Sequence, residues 1–136
     1  SNDLERFLTA QKIFIGRFAG DKFLVEKGIR FIFPQFIGLG YSATARYYAI
    51  RDINEVKAFI DNEILKNNLI EISKALLELE SNDAFVVMGA PDNMKLQSSM
   101  TLFALAKPEY SVFQSVLDKF FNGERDQKTL EILAKL

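Results

Sequence analysis

The stretch Asn62-Glu-Ile-Leu-Lys-Asn-Asn-Leu-Ile-Glu-Ile-Ser-Lys-Ala-Leu-Leu-Glu-Leu79 decides the fold class. Leu65, Leu69, Ile72, Leu76 and Leu79 recur at helical spacing, so they form one apolar stripe. Glu71, Lys74 and Glu78 lie off that stripe. Asn62 stands just before the first turn, where its side-chain oxygen can cap the free N–H groups. The stripe is too short for a coiled coil and reads as a core-packing face.

Working outward, the same period governs both directions. Leu4, Phe7, Gln11, Phe14 and Phe18 predict an N-terminal helix with Asp3 as its cap. Ile29-Arg-Phe-Ile-Phe33 reads as a short buried extended segment or an apolar turn of helix, and Pro34 biases Phe33 toward extended backbone. Gly38-Leu-Gly40 reads as a loop, with Ser42 capping a helix to about Ile50. Asp52-Ile-Asn-Glu55 is a capping box opening a helix to about Ile60.

Beyond the central stripe, Ser81-Asn-Asp83 ends the helix and Ala84–Met88 is a short apolar segment. Gly89-Ala-Pro-Asp92 reads as a turn with Asp92 as N-cap. The helix that follows, to about Ala106, is apolar on nearly all sides after Met100, which predicts the central buried helix. Lys107-Pro108 breaks it. A helix from Glu109 carries Val112, Phe113, Val116, Leu117, Phe120 and Phe121, and Asn122-Gly123 stops it. Asp126 caps a last helix bearing Leu130, Leu133 and Leu136. The expectation is an all-α, single-domain bundle of about six or seven helices over 3–136, with room for one extended segment near 29–33. Ser1-Asn2 reads as the scar of an expression tag.

Composition narrows the chemistry. The 136 residues carry 17 Lys+Arg against 18 Asp+Glu, with no His and no Cys. Triads and dyads that use His or Cys are therefore impossible, as is Cys-ligated zinc. A balanced charge lacks the basic footprint of a nucleic-acid binder. No apolar run has membrane-spanning length and no signal peptide is visible, so cytoplasm is the expected location. The residues imply no cofactor and no metal, and they leave the oligomeric state open.

Three polar features remain after packing is accounted for. Gly38-Leu-Gly-Tyr-Ser-Ala-Thr-Ala-Arg46 is a glycine loop feeding a capped helix, an arrangement that suits an anion. Arg46 supplies a bidentate donor and Tyr47 or Tyr48 a stacking ring. The simpler reading is a tight turn with an ordinary cap. In Pro91-Asp-Asn-Met-Lys-Leu-Gln-Ser-Ser-Met-Thr101, Lys95 sits at the wrong end of the helix dipole and calls for an anionic neighbour. Ser98, Ser99 and Thr101 carry hydroxyls into an apolar helix and must find partners. Bonds back to their own helix and a Lys95–Asp92 pair would suffice. Finally, Gln11 and Gln35 read as loop anchors. The candidate ligand set is Gln35, Gly38, Gly40, Ser42, Arg46, Tyr47, Asp92, Lys95, Ser98, Ser99 and Thr101. No carboxylate pair marks a catalytic site.

These segments resemble a family of small bacterial proteins known as a domain of unknown function, family eighteen-ten. The matching stretches are Leu4-Glu-Arg-Phe-Leu-Thr-Ala-Gln11, Phe31-Ile-Phe-Pro-Gln35, Gly38 to Ile50, Gly89 to Phe103, and Phe120-Phe-Asn-Gly-Glu-Arg-Asp126. The resemblance implies a mainly helical fold and no established activity. Members usually carry a His-Trp-x-Trp run before Phe-Pro-Gln, where this chain has Glu26-Lys-Gly-Ile-Arg30. The element order is also faintly similar to a helical family that processes ADP-ribose and related N-glycosides, without its Trp-Gly element.

Three functions follow as expectations. The first is a domain binding an anionic, nucleotide- or sugar-phosphate-like molecule between two helix N-termini. The second is an N-glycoside hydrolase acting on an ADP-ribose-like compound, with Asp92 as its best-placed carboxylate. The third is an interaction module using Phe18, Phe23, Phe31 and Phe36.

Overall fold

The computed structural model describes residues 4–15, Pro34 and 43–135, the side chains at 12–15, 44 and 45 excepted. Within them the helices are α1 (Glu5–Ile15), α2 (Ala43–Tyr47), α3 (Ile53–Asp61), α4 (Glu63–Leu77), α5 (Ala84–Met88), α6 (Asp92–Ala106), α7 (Val112–Phe121) and α8 (Gln127–Lys135). Among the described residues there is no strand, as the helical period requires. No described helix is long and apolar enough to cross a membrane. The expected segment at 29–33 and the Asp3 cap lie outside the described residues.

Local chemistry sets most helix ends. Asp52 Oδ1 accepts from the Glu55 backbone N–H at 2.8 Å and starts α3. Asn62 joins two helices. Its backbone N–H donates to Ala58 O and Phe59 O at the end of α3, and its Oδ1 accepts from the N–H groups of Ile64 and Leu65 at the start of α4. Asp83 caps α5 in the same way, so the apolar segment at 84–88 is a single helical turn. Asp126 Oδ2 accepts from both the backbone N–H and the hydroxyl of Thr129, which starts α8. Asn122, in left-handed conformation, ends α7 as expected.

Three expected boundaries move. The helix read as running to Ile50 ends at Tyr47, because Ala49 and Ile50 turn into the core. The helix expected from Glu109 begins at Val112. Asp92 is not an N-cap: Pro91 holds that position without a side-chain cap bond, and Asp92 is the first helical residue.

The core grows from the stripe on α4. Leu65, Leu69, Ile72 and Leu76 are buried, with Leu79 partly covered. Full burial of such side chains stabilises by about 1.5–3 kcal/mol each. An aromatic chain ties the elements together. Phe7 on α1 meets Phe59 on α3 edge-on at 5.0 Å, Phe59 meets Phe103 on α6 at 5.5 Å, and Phe103 meets Phe113 on α7 at 5.8 Å. Helix α6 is the centre: it packs on α3, α5, α7 and α8, and every residue from Ser98 to Ala104 is buried. Polar side chains are therefore pressed into the middle of the molecule.

Candidate functional site

The first three turns of α6 concentrate the polar side chains that packing does not explain. At 100° per residue, Asp92, Lys95 and Ser99 share one face. Lys95 Nζ lies 4.0 Å from Asp92 Oδ1, with side-chain exposures of 14% and 23%. That separation exceeds a good charge-assisted hydrogen bond, so the pair is loose although both groups are largely sheltered. Lys95 has a further interaction besides this one.

The three hydroxyls below differ in state. Ser98 Oγ donates to Met94 O at 3.1 Å, and Thr101 Oγ1 donates to Gln97 O at 2.8 Å. These are the back-bonds that helical Ser and Thr commonly make. Thr101 Oγ1 also accepts from the Asp126 backbone N–H at 2.9 Å, which ties α6 to the loop before α8. Ser99 is fully buried, and among the described residues its Oγ has no partner. Asn93 Oδ1 is likewise buried with no donor among the described residues. Unpaired buried polar atoms cost about 1–3 kcal/mol each, and Asn93 and Ser99 place two of them within the first eight residues of α6. Among the described residues, no group of acidic side chains is arranged to hold a metal ion.

The other half of the candidate set is placed differently. Arg46 and Tyr47 are exposed on α2, and the Tyr47 ring meets Tyr48 edge-on at 4.9 Å. Because α2 ends at Tyr47, Arg46 lies in its last turn, where a cation complements the helix dipole without any ligand. Helix α2 is not among the extensively packed helix pairs of the described residues. Gln35, Gly38, Gly40 and Ser42 lie outside the described residues, as do Phe18, Phe23, Phe31 and Phe36.

Two buried charged groups were not foreseen: Arg6 and Glu55. Arg6 Nη2 donates to Glu55 Oε1 at 2.6 Å, with side-chain exposures of 4% and 6%. The same guanidinium donates to Tyr47 O at 2.9 Å and Ala49 O at 3.1 Å, and its carbon stands 4.3 Å from the Phe7 ring centroid. Glu55 thus completes only half of the expected capping box, since its carboxylate turns to Arg6 rather than back to the cap. The one sequence hint was an Arg beside the Phe7 stripe and a Glu at the third position of a helix. Their separation of 49 residues hides the pairing. Nearby, burial pushes the Tyr48 hydroxyl above the usual tyrosine range, helped by Tyr47 and opposed by Arg6. Gln11, buried as expected, accepts from Asn68 Nδ2 at 2.8 Å, so one of its anchors is the side chain of a neighbouring helix.

Comparison with curated proteins finds no match. Among solved structures, the chain is similar to the conserved hypothetical protein Rv1873 from Mycobacterium tuberculosis, with a TM-score of 0.87 and 33% sequence identity over 97% of this chain and 96% of that one. The model of the family described as "Protein of unknown function (DUF1810)" matches residues 1–133. With its helical fold and the polar start of α6 in place, the chain belongs to the DUF1810 family of proteins of unknown function.

Proposed function

We propose that this protein is a small-molecule-binding domain whose ligand, an anionic nucleotide- or sugar-phosphate-like compound, is held at the start of α6. The observation that carries the reading is the unpartnered Ser99 hydroxyl beneath the loose Asp92–Lys95 pair, all on one face. Lys95 supplies positive charge at the N-terminal end of a helix whose dipole has the same sign, which favours an anion. Asp92 supplies an acceptor for ligand hydroxyls. In this reading Arg46 and Tyr47 act from a rim, while Gln35, Gly38, Gly40 and Ser42 complete the set. Support is stronger for the α6 half, because α2 is a single turn with Arg46 at its far end.

A thermal-shift series with inorganic phosphate, ribose 5-phosphate, AMP and ADP-ribose tests the proposal. At least one anion is expected to raise the melting temperature, and Lys95→Ala and Ser99→Ala are each expected to reduce that rise. A flat response across the series overturns the reading, as does an undiminished rise in both variants.

A second reading draws on Asp92 having no capping role. A carboxylate freed from capping is available as an acid or base in N-glycoside cleavage. Turnover of nicotinamide- or base-linked ribosides, lost in Asp92→Asn with the fold intact, is the expected result. Inert protein across those substrates removes this reading and leaves the binding one standing.

A further inference from the structure

We propose that Asn122 is a site of spontaneous deamidation whose rate is set by the closing turn of α7. Asn122-Gly123 is the one Asn-Gly pair in the sequence. The Asn side chain is exposed, and glycine places no Cβ in the way of the reaction. In the first step the Gly123 backbone nitrogen attacks Asn122 Cγ. A nitrogen–carbon bond forms, the Cγ–Nδ2 bond breaks, and ammonia leaves with the displaced proton. Water then opens the cyclic imide at either carbonyl, producing aspartate or isoaspartate. Overall, one water is consumed and one ammonia released, and no oxidant or catalyst is required.

The folded turn blocks the first step in two ways. Asn122 has φ 54° and ψ 31°. At that ψ the Gly123 nitrogen lies on the far side of the Cα–C bond from Cβ, so the five-membered ring cannot close. The Gly123 N–H also donates to Leu117 O at 3.0 Å, which holds the nitrogen toward the helix. Reaction therefore waits for this turn to fray, a local opening distinct from global unfolding.

The product would act on the centre of the molecule. The loop after Gly123 is docked on α6 by Gln97 Nε2 donating to Glu124 O at 3.0 Å and by the Asp126 N–H donating to Thr101 Oγ1 at 2.9 Å. Isoaspartate routes the main chain through the side-chain carbon and lengthens it just before these contacts. It also adds a negative charge at the C-terminal end of α7, where the dipole disfavours one. Both changes loosen the join between α6 and α8.

The test is peptide mass spectrometry of the segment spanning 120–126 after incubation at mildly alkaline pH, on the folded chain and on the chain in urea. In urea Asn122 is expected to gain one mass unit before any other Asn. The folded chain is expected to react at least about tenfold more slowly. Thr101→Val, which removes the acceptor for the Asp126 N–H, is expected to speed the folded reaction and leave the urea reaction unchanged. Gln97→Ala serves the same purpose should Thr101→Val fail to fold. Equal rates in folded and unfolded chains overturn the proposal, as does a folded variant that reacts no faster than the parent.

Discussion

Two ion pairs in this molecule differ in degree of completion. Arg6–Glu55 is short and nearly dry, and the guanidinium also serves two backbone carbonyls and lies near the Phe7 ring. Asp92–Lys95 is long and partly wet, with an unsatisfied hydroxyl below it on the same face. The first joins α1 to α3 and, through Tyr47 O and Ala49 O, to the end of α2 and the segment after it. The second leaves acceptors unused in a sheltered place. A buried pair with several further partners reads as a joint, whereas the loose pair above the Ser99 hydroxyl is what the binding proposal rests on.

The largest test of that contrast removes Glu55. Glu55→Ala leaves the Arg6 charge buried without its counter-ion, and the expected cost is about 3–5 kcal/mol in chemical denaturation. A loss below about 1 kcal/mol would mean the pair is not a joint. Ser99→Ala should move the other way. Deleting a hydroxyl that bonds nothing is expected to leave stability unchanged or raise it by up to about 1 kcal/mol. A clear destabilisation would show that Ser99 has a structural partner and would erase the contrast. Asp92→Asn is expected to cost no more than about 0.2–1 kcal/mol, since the pair is long and Lys95 keeps another interaction.

The smallest effect is alkaline and belongs to the joint. Tyr48 holds its proton more tightly in the folded chain than in the unfolded one. Above about pH 10 the unfolded chain loses that proton first, so stability falls as pH rises through this range. Lys66 is raised by its hydrogen bond to Glu63, and its contribution is lost in the same direction. In melting curves above pH 10, Tyr48→Phe should flatten part of the decline. An identical slope in the variant would assign the decline to other groups.

Much of the fold is legible residue by residue. The stripe on α4 and the caps at Asp52, Asn62 and Asp126 all appear where spacing puts them. The buried hydroxyls of α6 were legible as a problem, because Ser and Thr inside an apolar helix need partners. Which of them would lack one was not legible, since Ser98 and Thr101 bond back to the helix and Ser99 does not. Asp92 misled because Asp is a preferred cap and Pro a preferred first residue. Here Pro91 precedes the helix and Asp92 opens it.

What the sequence determined by itself is most of what acts over one or two turns: helical period, the caps at Asp52, Asn62 and Asp126, and the Asn122-Gly123 stop. Those interactions close within a local segment, so their geometry follows from residue spacing alone. Tertiary structure decided the Arg6–Glu55 joint, the Gln11–Asn68 bond and the docking of Asp126 on Thr101. It also decided that Asp92 and Lys95 stay only loosely paired. Each depends on how helices distant in sequence pack, and a side chain satisfied in one packing is stranded in another.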